Sequence, residues 1–244
     1  MRRRSMSPRS QRGLTLVELL VGLIIMSILT TMILVSWFAL SRSYSYSVTS
    51  NKARDSAREA IARLARETRD AQSVDATAEA ALIRARARTV VVSTTFNMAD
   101  NGDPTTTPRL VMYRLYPDGQ LWRFYDKDRD GVIDNVDMNA DGWPANPYQP
   151  SERVSGEGAR LLVKDVVNDV VPSTGHPTPL FHYSYYETNA GPNYGQLTQD
   201  TTVLGANNRR KVVSVQMNLL VDLNPARSPI YTEFQTTAQL RNQR

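Results

Sequence analysis

Residues 14–40 form a run of 27 positions that carries one charge and no proline. A helix over that run is roughly 40 Å long, more than the roughly 30 Å hydrocarbon core of a bilayer. Lipid offers backbone N–H and C=O groups no partner, so a single spanning segment must be helical. Arg2, Arg3, Arg4, Arg9 and Arg12 precede Gly13 and no acid does. These five cations are expected to hold the amino end in the cytoplasm and to send the chain beyond Ser41 across the membrane. A removable secretory signal would have a shorter apolar core and a small-residue cleavage site, whereas this run ends in "SWFALSRSYSYS".

The 244 residues leave room for one globular domain besides this anchor. Lys and Arg number 29 against 24 acids, a formal charge of +5. Without the five leader arginines the balance is 24 against 24, so net charge gives no support for a nucleic-acid partner. Cysteine is absent, which excludes disulfides, thiolate metal sites and cysteine nucleophiles. The two histidines, His176 and His182, have no Ser/Asp or ligand-spaced constellation around them and read as a surface and a sheet residue.

The one charge in the apolar run is Glu18. A carboxylate inside lipid costs several kcal/mol, about 3 at the bilayer centre on the lower scales, and usually has a partner and a purpose. The stretch "RGLTLVELL" resembles the leader junction of type IV prepilins. The resemblance implies that a cytoplasm-facing prepilin peptidase cuts between Gly13 and Leu14 and methylates the new amino terminus. Glu18 then becomes the fifth residue of the mature chain, one helical turn from a positive amino group. A buried ion pair with a neighbouring subunit would act as a register device for helices packed in lipid or a filament core. Leu14 departs from the phenylalanine usual in major pilins; minor members tolerate other residues, so the departure bears on the subunit type more than on the cut.

Past the membrane run the helical pattern continues to about residue 72. Ala53, Ala57, Ile61, Leu64, Thr68 and Ala71 recur at spacings of three and four, whereas Glu59–Arg63, Arg63–Glu67 and Arg66–Asp70 form i,i+4 pairs on a face expected to be solvated. The segment "SVDATAEAALIRARAR" allows a short second helix. Then seven β-branched and aromatic runs, from "TVVVSTTF" to "IYTEFQTTAQL", predict strands, with "YPDGQ" as a hairpin turn. The expected fold class is α+β: a long N-terminal helix on an antiparallel sheet. The expected organisation is a leader (1–13), a transmembrane half-helix (14–40), an amphipathic half-helix (41–75) and an extracytoplasmic β-rich domain (76–244). This layout is similar to W-type minor pilins and J-type pseudopilins, which implies other pilins or pseudopilins as partners and a place in filament initiation or at a tip.

Within the β-rich domain lies an acidic loop, 126–142. In "DKDRDGVIDNVD" the residues Asp126, Asp128, Asp130, Val132, Asp134 and Asp137 fall at positions one, three, five, seven, nine and twelve of an EF-type loop, with Gly131 at six. Alternate carboxylates around a glycine turn, with the Val132 carbonyl, supply the oxygens that calcium requires. Asp137 replaces the usual bidentate glutamate and shortens that arm. A second frame of Asp137, Asn139 and Asp141 is interrupted by Pro144. Strand-like flanks make this a structural calcium site without the paired helices of a sensor.

The basic groups Arg84, Arg86 and Arg88 and the stretch "NRRK" at 208–211 read as solvated loops rather than DNA contacts, since no nucleic-acid-binding module accompanies them. No nucleophile and base pair is recognisable, so a structural role is expected. The alternative from another class is a single-pass, membrane-anchored extracytoplasmic protein that binds its ligand through the calcium loop.

Overall fold

The computed structural model describes residues 15–71, 81–95, 109–126, 133, 158–168, 178–186, 197–200, 204–223 and 231–240. It is α+β and divides into two compact units, Met1–Val48 and Thr49–Arg244. Helix α1, Leu16–Arg69, runs through both. It ends at Arg69, three residues short of the end expected near 72 and six short of the boundary expected at 75.

In the first unit α1 is the whole of the described structure. Its most apolar stretch has mean hydropathy 2.5 with no residue buried, long and apolar enough to cross a membrane. The hydroxyls in it turn back on the helix. Thr30 donates to the Met26 carbonyl at 2.7 Å, Thr31 to Ser27 at 2.8 Å and Ser36 to Met32 at 2.9 Å. That arrangement leaves these hydroxyls satisfied in a medium without water.

In the second unit the end of α1 meets two antiparallel sheets, where a single sheet was expected. The first contains β1 (Leu82–Ala85), β2 (Thr89–Thr94), β3 (Arg109–Leu115), β4 (Leu121–Tyr125) and β5 (Ala159–Val163), in that order. The second is built from β6 (Phe181–Tyr186), β7 (Leu197–Asp200), β8 (Val212–Asp222) and β9 (Tyr231–Gln239), in the order β7-β6-β8-β9. One helical turn, α2 (Ala206–Arg209), precedes β8. Leu82–Ala85 is therefore a strand and not part of a second helix. The helix propensity of its Ala and Arg neighbours yields to pairing with Val90, Val91 and Val92 in a hairpin closed by Arg86 N–H to Thr89 O.

Side-chain alternation divides the packing of the first sheet. Val90, Val92, Val111, Tyr113, Leu115 and Leu121 join Ala57, Ala60 and Leu64 of α1 and the inner face of the second sheet in the main core. Val91, Met112, Trp122 and Phe124 point the other way, into a smaller aromatic cluster with Tyr116, Ala159 and Ile133. Both faces are buried, which explains the near-continuous apolar reading of these strands.

The two sheets are tied by backbone and by one amide. Val166 bridges to Val221, and Phe181 N–H donates to Ala87 O at 3.1 Å. The buried Asn168 side chain completes the β8 ladder where no strand does. Its Nδ2 donates to Asn218 O at 2.6 Å, and its Oδ1 accepts from Leu220 N–H at 3.0 Å.

Candidate assembly site

Four helical N–H groups at the start of α1 have no partner within the helix, and in an apolar medium each needs one. Thr15, immediately before the first helical residue, and Glu18 supply partners reciprocally. The Glu18 N–H donates to Thr15 Oγ1 at 3.3 Å; the Thr15 N–H and hydroxyl donate to Glu18 Oε2 at 2.9 and 3.0 Å. This is a capping box with threonine at the N-cap and glutamate at N3. A negative group there also complements the helix dipole. Glu18 thus has an intrachain use that sequence reasoning missed, although Thr-x-x-Glu before an apolar run was its written signal. Gly13 and Leu14, the predicted cut and methylation positions, lie outside the described residues. Glu18 itself is exposed, as is the apolar helix beyond it.

Of the expected calcium ligands, Asp126 is described and Asp128, Asp130, Val132, Asp134 and Asp137 are not. The second, incomplete frame at Asp137, Asn139 and Asp141 also lies outside. Asp126 follows β4 directly, is 2 % exposed, and its N–H donates to Leu110 O at 3.0 Å. Ile133, the eighth residue of the loop, is 1 % exposed in the aromatic cluster. Position one is therefore held by the sheet and position eight by the core. A cation gathering the carboxylates between them would close a short span whose ends are already fixed.

The two basic segments, far apart in sequence, are neighbours in the fold: α2 packs beside β1, and Leu204 N–H donates to Ala85 O at 3.2 Å. His182 is half-buried on β6 opposite Gln216, the sheet position expected for it. His176 lies outside the described residues.

One polar cluster contradicts the solvated face expected of α1. Glu67 is fully buried, not paired with Arg63 on the surface, and its carboxylate receives Arg123 Nη2 at 2.8 Å, Arg123 Nε at 3.1 Å and the Tyr113 hydroxyl at 2.5 Å. Glu59 reaches Arg160 at 3.2 Å, an exposed pair of small energetic weight. Burial raises the Tyr113 phenol well above its ordinary range, and the Glu67 charge raises it further. Burial alone would lower the Arg123 guanidinium, but the charges and hydrogen bonds of Glu67 and Tyr113 together raise the group. The cluster fixes α1 against β3 and β4. The sequence signal was positional: Glu67 lies three residues after Leu64 and four before Ala71, on the buried stripe.

Residues 8–34 match the prokaryotic N-terminal methylation motif. The matched segment contains Gly13, Leu14, the Thr15–Glu18 cap and most of the apolar run. No curated protein matches the chain.

Proposed function

We propose that this chain is a structural filament subunit, a minor pilin or pseudopilin, that acts in initiation or at the tip of a type IV pilus or type II secretion-like assembly. The methylation motif supports a type IV pilin-like prepilin, processed by a prepilin peptidase and assembled with other pilins from a membrane. The observation that supports the filament reading is a single charge, Glu18, at the start of a membrane-length helix that continues into a β-rich unit, while the minor-pilin or pseudopilin subtype rests on the layout of the sequence. Before assembly the Glu18 carboxylate serves the cap of its own helix. Cutting after Gly13 creates a positive amino group on Leu14, one residue before that cap, and a neighbouring subunit's Glu18 is its natural counter-charge in a dry filament core. The leader arginines hold the amino end on the cytoplasmic side and leave the β-rich unit outside. Calcium in the loop 126–142 fixes a long segment on that exterior. The role is structural rather than catalytic.

The test is the intact mass and amino-terminal sequence of the protein recovered from its native membrane. A chain that begins at methylated Leu14 supports the reading. Retention of residues 2–13 in cells with an active prepilin peptidase overturns it and favours an anchored calcium-dependent binding protein.

A further inference from the structure

The outer edge of the second sheet is β9, and its register shows which backbone groups face outward. Leu240 N–H donates to Val213 O, which makes their even-numbered neighbours on β9 the residues bonded to β8. From the other side of β8, Asn218, Leu220 and Asp222 donate to Leu180 O, Asn168 Oδ1 and Asp165 O, away from β9. Tyr231, Glu233, Gln235, Thr237 and Gln239 therefore turn their N–H and C=O groups outward. Among the described residues no backbone group bonds to that edge.

Natural sheets blunt such an edge with proline, lysine, a bulge or a covering element. Here the strand "YTEFQTTAQ" has no proline and no lysine, and its nine pairs with β8 run without a bulge. Beside it lies a groove of about 630 Å³ between β9 and the last turns of α1. Ile61 and Ala65 form the inner row with Phe234, and Arg58, Ala62, Arg66 and Arg69 form the outer row. Three arginines and one acid, Glu233, line it, and Arg66 Nε also donates to Ala62 O at 3.3 Å. Arg58 also has Asp55 at 3.9 Å, but both side chains are more than two-thirds exposed and the pair is weak.

We propose that β9 is a docking edge for an extended acidic segment of another protein, which adds to the sheet as a strand. Its backbone pairs with the odd-numbered residues of β9, its small apolar side chains cover Ile61, Ala62 and Ala65, and its carboxylates meet Arg58, Arg66 and Arg69. Backbone pairing gives affinity and the alternate side chains give selectivity. This surface does not depend on leader processing, so it stands or falls separately from the filament reading.

The test uses the full chain in lipid nanodiscs and a random dodecapeptide display library as the probe. Enriched peptides are expected to place acidic and small apolar residues together at every second position, the face turned to α1, and to weaken as salt rises. Gln235→Pro removes an outward N–H and none of the bonds to β8, and should lower their affinity at least tenfold. The triple variant R58E/R66E/R69E, which leaves the backbone untouched, should do the same and serves if Q235P fails to fold. Failure to enrich any peptide, enrichment without acidic bias, or equal binding to both variants overturns the proposal. Self-association of the chain that is lost in Q235P would assign the edge to a second copy and overturn the acidic-segment occupant.

Discussion

Glu67 Oε1 and Arg123 Nη2 lie 2.8 Å apart with the two side chains 0 and 4 % exposed, joining α1 to β4 of the first sheet. Removing one partner leaves the other charge buried and uncompensated, which typically costs about 3–5 kcal/mol. Glu67→Ala and Arg123→Ala should each lower the melting temperature by roughly 10 °C in a domain of this size. Glu67→Leu combined with Arg123→Met should recover most of that loss, because well-packed apolar residues often replace a buried pair without penalty. Thermal denaturation of the three variants checks this, and a double variant no better than the singles would count against it.

How much of this was legible in the sequence depends on the range of the interactions. The helix and the "YPDGQ" hairpin depend on residues a few positions apart, and the structure places Leu115 opposite Leu121 across that turn. The division into two sheets depends on which strands meet, and composition does not encode partners. Leu197–Asp200 is a polar tetrapeptide that becomes β7 only beside Tyr183–Tyr186. Glu67 was hidden because helical acids are usually solvated, although its spacing placed it among alanines and a leucine. Leu82–Ala85 was misread because four residues are too few for periodicity to distinguish strand from helix.

Alkaline titration should find Tyr113 and Tyr183 late. Burial raises both phenols well above the ordinary value, and the Tyr183 hydroxyl donates to Arg86 O at 2.8 Å, a bond that only the neutral phenol makes. With the folded values above the unfolded value of about 10, the neutral phenols contribute stability that is fully present below pH about 10. That contribution is lost as the pH rises toward the folded values. Ultraviolet difference spectra should therefore show at least two of the 11 tyrosines ionising only as the fold opens, one fewer in Tyr183→Phe. Ionisation of every tyrosine ahead of unfolding would contradict the buried assignments.

Gly119 turns the β3–β4 hairpin at φ +75°, and a Cβ there would lie 2.8 Å from Val166 O and 3.3 Å from Val166 N. Both atoms are backbone, and Val166 N–H is itself bonded to Gly119 O at 2.9 Å. Gly119→Ala should destabilise by about 2 kcal/mol through the left-handed conformation and this contact together. Pro117→Ala, two positions earlier on the exposed part of the turn, should cost less. Equal denaturant midpoints for the two variants would refute the steric argument.

The Thr15–Glu18 cap separates two roles of one carboxylate. Thr15→Ala loses the hydroxyl and should cost about 1 kcal/mol at the helix start, speeding amide exchange there about fivefold in nanodiscs; Thr15→Ser should restore it. Glu18→Gln keeps an acceptor for the Thr15 N–H but no charge. It should insert into the membrane and keep the cap, yet fail to enter filaments. Normal assembly of Glu18→Gln would leave the cap intact as an explanation of Glu18 and remove the ion pair.

Calcium should stiffen the second unit, because its loop starts at a residue bonded to Leu110 and passes through Ile133, which is buried beside Trp122 and Phe124. At a free concentration a hundred times the dissociation constant, binding to the folded state alone adds about 2.7 kcal/mol. That corresponds to a rise in melting temperature of roughly 5–10 °C. Chelation should reverse the rise, and magnesium, which demands a tighter octahedral shell, should not replace it. Asp128→Ala with Asp130→Ala should abolish the response. Asp137→Glu should sharpen it by supplying the longer bidentate arm at position twelve. Calorimetry of the wild-type chain with calcium and with chelator decides the matter: identical melting in the two would show that the carboxylates of this loop hold no cation that the fold uses.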